Sequence, residues 1–230
     1  MEGEYIYLRI NFFHPGGIGK QADAIDKENV YINDGVSKLY AISQATGRTQ
    51  WETDLGELTS AILIEDETVF YIDFGVVVAR HRADGRAKWR FNLNESMRAL
   101  HVRNGVVYAG GFGKFYAVDA ATGVQKWVTT IAGVTTATVL KATNDLVYIG
   151  SGYGSTPFYA IDANTGVMKW KYSAGFFKAA IGNNSIYLTT ASKQLIALDL
   201  ATGTTRWEFK PAEGLVTDLC LTDKSGKVID

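Results

Sequence analysis

The chain has 230 residues, with 23 Lys plus Arg against 24 Asp plus Glu and a formal net charge of -1. No overall field gathers polyanions, so a nucleic-acid partner is not expected. The lone cysteine, Cys220, excludes an intramolecular disulfide and a thiolate zinc cluster, and no apolar run is long enough to cross a bilayer as a helix.

At the start, Met1-Glu2-Gly3-Glu4 has neither the basic region nor the apolar core of a signal peptide, so the chain is expected to be soluble. Glu4 to Phe12 reads as a strand outside any repeat. Gly16-Gly17-Ile18-Gly19-Lys20 lacks the spacing and the hydroxyl residue of a phosphate-cradling loop. From there a period takes over. The five tryptophans, Trp51, Trp89, Trp127, Trp170 and Trp207, lie 38, 38, 43 and 37 residues apart. Each has a glycine four positions earlier: Gly47, Gly85, Gly123, Gly166 and Gly203.

In chain order the first unit offers Val30-Tyr31 and Ala41-Ile42-Ser43. The second offers Ser60 to Ile64, then Phe70-Tyr71, then Ala79-Arg80-His81. Ala99 to Val102, Val107-Tyr108 and Ala117-Val118-Asp119 form the third. Val147-Tyr148 with Ala160-Ile161-Asp162, and Ile186-Tyr187 with Ala197-Leu198-Asp199, form the fourth and fifth. Short β-branched and aromatic stretches between polar turns predict four strands per unit, with no sustained helical period. A four-stranded unit of this length is a propeller blade. After the fifth unit, Gly214 to Leu221 and Gly226 to Asp230 read as the start of another. The expected fold is therefore an all-β propeller in a single domain over 1–230, with five complete repeats and a sixth blade shared by the two termini.

Asp119 to Trp127 shows the turn chemistry. Asp119 and Thr122 can accept hydrogen bonds from nearby amides, and Gly123 can take the left-handed conformation that closes a hairpin. A calcium loop would need more oxygen ligands than one Asp and one Thr supply. Each tryptophan then falls on the outermost strand, where its ring covers the seam to a neighbouring blade. An aromatic of this size removes roughly 150 to 250 Å² from water, a gross stabilisation of about 4 to 6 kcal/mol.

These residues resemble the pyrroloquinoline-quinone-type propeller repeat family, whose pattern is Ala-x-Asp-x-x-x-Gly-x-x-x-Trp. Ala117 to Trp127, Ala160 to Trp170 and Ala197 to Trp207 match it fully, while the first two repeats lack the Asp. The resemblance implies a propeller with tryptophan-docked blades. The family spans quinoprotein dehydrogenases, a lipoprotein subunit assisting outer-membrane barrel assembly, and sensor or scaffold domains, so it leaves activity open and periplasmic or cell-envelope placement compatible. Its dehydrogenases carry a disulfide of adjacent cysteines and a calcium site, and a single cysteine is incompatible with the first.

His14, His81 and His101 lack metal-ligand spacing, and neither a nucleophile elbow nor another catalytic constellation is present. No enzyme activity, catalytic residue, metal or cofactor is expected. The expected function is a non-enzymatic scaffold that binds another protein through loops. A quinone- or other ligand-binding propeller, or a sensory domain of a larger protein, is the alternative. Candidate interface residues are Phe74, Phe112, Lys114, Tyr153, Ser155 and Thr156 in loops between the second and third strands, and Phe176 and Phe177 between blades. Ser192-Lys193, Glu57 and Asn94-Glu95 occupy equivalent loops. Aromatics in exposed loops give contact area at little entropic cost.

Overall fold

A computed structural model of the protein describes residues 24–34, 36–56, 60–94, 99–132, 134, 138–150, 157–182 and 184–212. All regular structure among them is β, arranged as five four-stranded antiparallel sheets. The first holds β1 (Ala24–Ile25), β2 (Asn29–Asn33), β3 (Lys38–Ser43) and β4 (Thr49–Asp54). The second holds β5 (Leu63–Glu65), β6 (Thr68–Asp73), β7 (Val76–His81) and β8 (Ala87–Asn92). The third holds β9 (Ala99–Arg103), β10 (Val106–Gly111), β11 (Lys114–Asp119) and β12 (Gln125–Thr130). The fourth holds β13 (Thr138–Ala142), β14 (Leu146–Gly150), β15 (Phe158–Asp162) and β16 (Met168–Tyr172). The fifth holds β17 (Phe176–Gly182), β18 (Ser185–Thr190), β19 (Leu195–Asp199) and β20 (Thr205–Phe209).

Within each sheet the strands lie side by side in chain order. Each sheet is one blade of a β-propeller, as the repeats predict. The terminal segments expected to share a sixth blade fall outside the described residues, as does Cys220. Among the described residues no helix is long and apolar enough to cross a membrane.

The chain divides into two compact units, Met1–Ala109 with Val118–Gln125, and Gly110–Ala117 with Lys126–Asp230. The third sheet contributes strands to both. In the first unit the core gathers Tyr31, Leu39, Ala41, Trp51, Ile62, Val69, Tyr71 and Val78. In the second it gathers Tyr148, Phe158, Phe176, Ile186, Leu188 and Leu198 among others. Two of the second strands, β6 and β14, are buried at every residue, which explains their near-continuous apolar runs, whereas β2 alternates between buried and partly exposed residues.

The repeated alanine has a packing role. In four sheets it pairs with an aromatic on the second strand and with the tryptophan on the fourth: Tyr31, Ala41, Trp51; Phe70, Ala79, Trp89; Tyr148, Ala160, Trp170; Tyr187, Ala197, Trp207. The two large rings meet across this small residue, with centroids 5.8, 5.9, 6.1 and 6.0 Å apart in the same order. Side chains in one cross-strand row share a face, and a larger middle residue would push the rings apart. In the second sheet the row runs through Phe70 rather than Tyr71. Aligning Phe70-Tyr71 with Val30-Tyr31 by type therefore places the second repeat one residue out of register.

A bulge precedes each tryptophan in these four sheets. Ala41 pairs with Trp51 but Ile42 with Thr49, which leaves Gln50 as the extra residue; Lys88, Lys169 and Arg206 are its counterparts. Such an insertion re-aims the side chains around it. Replacing Ala160, which is fully buried, with leucine is expected to destabilise the protein by about 1 to 3 kcal/mol through overpacking, read as a lowered urea midpoint.

Candidate functional site

The turn before each tryptophan is built alike in all five repeats. The amide of the glycine donates to the residue four before it, at 2.9 Å in every case: Gly47 to Ser43, Gly85 to His81, Gly123 to Asp119, Gly166 to Asp162 and Gly203 to Asp199. All five glycines have φ between +66° and +74°, a region that side chains rarely enter.

Four of these glycines, Gly85, Gly123, Gly166 and Gly203, also seat a ring, and that ring belongs to the preceding repeat. A Cβ on Gly85 would lie 2.6 Å from the Trp51 ring, one on Gly123 or Gly166 2.8 Å from Trp89 or Trp127, and one on Gly203 closer still to Trp170. The indole N–H completes the dock by donating to a turn carbonyl: Trp51 to Arg82 at 2.8 Å, Trp89 to Ala120 at 2.9 Å, Trp127 to Ala163 at 2.9 Å and Trp170 to Ala201 at 2.8 Å. The sequence pairs each tryptophan with the glycine four residues before it. The spatial pairing is with the glycine of the next turn.

Charges reinforce these seams. Arg82 reaches Asp26 of the first sheet at 3.2 Å and Glu67 at 2.9 Å. Burial pushes the Asp26 carboxyl up, but the Glu28 and Asn29 amides, the Tyr31 hydroxyl and Arg82 together hold it below its ordinary value. In the second unit the Tyr148 hydroxyl donates to the Leu200 carbonyl at 3.0 Å. Burial pushes that hydroxyl up to about 12.

The turn aspartates are fully engaged. Asp119 Oδ1 accepts from the Ala121 and Thr122 amides and the Thr122 hydroxyl. Asp162 and Asp199 repeat the pattern, and their second oxygens face cations on the bulged positions, Lys169 at 3.0 Å and Arg206 at 2.6 Å. With both oxygens satisfied, these carboxylates fit a turn better than a calcium site. Among the described residues no three His, Cys, Asp or Glu side chains cluster in a way that could hold a metal.

Two hairpin tips between second and third strands carry exposed aromatics. Asp73 pairs with Val76 across Phe74-Gly75, whose φ angles of 47° and 76° make a tight primed turn. Phe112-Gly113 repeats it at 48° and 80°. Asparagine is the usual residue at the first position of such a turn, and a bulky side chain there is an outlier. Yet Phe74 is 73% exposed and Phe112 58% exposed, so neither ring gains burial in return. At the equivalent tip of the first sheet Val36 is 82% exposed. Sequence reasoning missed it, although the polar Asp34 to Ser37 turn around a lone valine carries the signal.

Lys114 opens β11 and is half-buried, and Lys193 sits in the fifth-sheet tip with φ +65°. Tyr153, Ser155, Thr156, Glu57 and Glu95 lie outside the described residues. The expectation that Phe176 is a surface loop residue needs correction. It begins β17, is 1% exposed and packs edge-to-face on Phe158 at 5.5 Å. Phe177 is the extra residue of a bulge between Phe176 and Lys178, which turns it outward to 50% exposure.

Comparison with known proteins follows this geometry. The family model described as outer membrane protein assembly factor BamB matches residues 73–208 and 168–228. Against the curated proteins the sequence finds no match. The solved structure of BamB from Moraxella catarrhalis is 19% identical with a TM-score of 0.63, covering 79% of this chain and 61% of that one. The chain thus spans about three fifths of the length of that protein. A computationally designed protein, Ika8, gives 20% identity and a TM-score of 0.70, over 90% of this chain and 69% of that one. Quinohemoprotein alcohol dehydrogenase from Comamonas testosteroni gives 17% and 0.62, over 90% and 45%. At these identities the likeness is one of fold.

The turn carboxylates generate a pH prediction. Lys169 first, then Thr165, lowers Asp162 from 3.8 to about 2, and Arg206 first, then Thr202, does the same for Asp199. A depressed folded value contributes stability that is present above the unfolded pKa and lost as pH falls through the folded one. Melting temperature is therefore expected to decline from about pH 4 toward pH 2, and Asp162→Asn with Asp199→Asn to flatten that decline.

Proposed function

Because the chain belongs to the family of the outer membrane protein assembly factor BamB, built of pyrroloquinoline-quinone-type propeller repeats, we propose that it is a non-enzymatic binding module that holds another protein through its hairpin tips. One observation carries the reading: Phe74 and Phe112 stand exposed in a backbone conformation that disfavours them. Strain kept at an exposed aromatic contributes nothing to folding that asparagine would not improve, and such outliers gather at functional positions. Aromatic rings presented on rigid hairpins suit the buried centre of a protein interface. Val36 offers the same apolar tip in the first sheet.

The family's description names an assembly factor for outer membrane proteins, which favours a protein over a small molecule as the partner here. The repeated residues carry the docks and turns of every blade, so discrimination between partners falls to the tips, where the repeats differ.

Phe74→Asn and Phe112→Asn are each expected to stabilise the protein by about 1 kcal/mol, because asparagine tolerates the left-handed region. The same double variant should lose a partner that the wild-type chain captures from native extract and mass spectrometry identifies. A partner retained at full strength by the stabilised variant would refute the reading. Adding pyrroloquinoline quinone and calcium is expected to leave the melting temperature unchanged and to give no dye reduction.

A further inference from the structure

Asn104-Gly105 is the one Asn-Gly step of the chain. At such a step the glycine nitrogen can attack the carbonyl carbon of the asparagine side chain, because no Cβ on the following residue obstructs the ring that forms. What accepts the glycine N–H decides how readily it does so. At Asp84-Gly85 the amide donates to the His81 carbonyl at 2.9 Å, an oxygen that cannot carry the proton away, and the Trp51 ring closes over the glycine.

Gly105 is placed differently. With Asn104 it forms the exposed turn between β9 and β10, at φ +71° and +51° respectively, the residue pair that a tight primed hairpin favours. Among the described residues nothing lies within 4 Å of the Cβ it lacks. Its carbonyl accepts from the Ala120 amide at 2.9 Å, which anchors the turn. Its N–H faces a carboxylate: Glu65 Oε2, at the end of β5 in the second sheet, lies 3.3 Å from Gly105 N, and Glu65 also accepts from the Asn104 amide. β5 packs beside β9, and all these residues belong to the first compact unit. Burial pushes the Glu65 carboxyl above its ordinary value against the pull of the Gly105 amide, and so makes it a stronger base than a surface carboxylate.

We propose that Asn104 is a site of self-modification, deamidated by the Gly105 nitrogen with Glu65 as the base. Glu65 takes the proton from Gly105 N as that nitrogen bonds to Asn104 Cγ. The proton passes on to the side-chain nitrogen, the Cγ–N bond breaks and ammonia leaves, so that a succinimide closes and Glu65 is ionised again. Water then opens the ring to aspartate or isoaspartate, and no other reactant is needed. Either product sets a new carboxylate beside Glu65, where like charges repel, and isoaspartate also adds a methylene to the backbone of the turn. The modification thus falls where the second sheet meets the third, apart from the tips that carry the proposed function.

Peptide mapping by mass spectrometry of the folded full chain, held near neutral pH at physiological temperature and sampled over weeks, tests it. Asn104 is expected to convert before Asn144 and Asn164, turn asparagines followed by Asp145 and Thr165. Glu65→Gln keeps a hydrogen-bond acceptor that cannot take the proton, so conversion should slow about tenfold, less than the roughly hundredfold of a fully aligned base because solvent still acts. Glu65→Asp keeps the charge but draws it back by a methylene; it should slow conversion as well, and it decides the matter if the glutamine variant does not fold. Conversion of Asn104 no faster than that of Asn144 or Asn164 overturns the site. Conversion as fast as wild type, or faster, in the Glu65 variants overturns the base.

Discussion

An indole lying flat over a glycine turn is the contact on which the blades depend. Neither half works without the other. The ring needs a residue with no side chain beneath it, and the turn needs a residue that accepts φ near +70°. Glycine answers both demands at once, and the N–H to carbonyl bond of 2.8 to 2.9 Å satisfies the one polar atom that burying the ring would otherwise strand. The alanine on the third strand belongs to the same device, since it lets the ring rest on its own sheet while reaching the next.

Much of this was legible in the sequence, because the device repeats. The Gly-x-x-x-Trp spacing, the alanine and the four short strands per period gave the blade and its turn chemistry, and Asp119, Asp162 and Asp199 do accept the turn amides. Partnership across the seam was less legible. A glycine four residues before a tryptophan looks like its partner, yet from Gly85 onward it serves the ring 33 to 39 residues earlier, and a periodic sequence cannot distinguish one assignment from the other. The displaced aromatic of the second repeat has a similar origin. Phe70 and Tyr71 are both strand formers, and only pairing with Ala79 tells which faces Trp89.

Where a single extra residue changes direction, sequence reading failed. Phe176 and Phe177 look equivalent between glycine and lysine, but a bulge sends one into the core beside Phe158 and the other outward. At the hairpin tips the opposite holds: the Phe-Gly pairs were found as aromatic loops, but the positive φ that makes them costly is visible only in the backbone.

The first four tryptophans find their acceptor carbonyls 31 or 36 residues further along the chain, while each of the five sheets is made of four consecutive strands. Contacts of such short reach favour fast, local folding that can start in any repeat and spread to its neighbours. During synthesis, then, a blade would leave the ribosome with its hydrogen bonds made but its ring uncovered, and would mature only when the turn of the next one emerged.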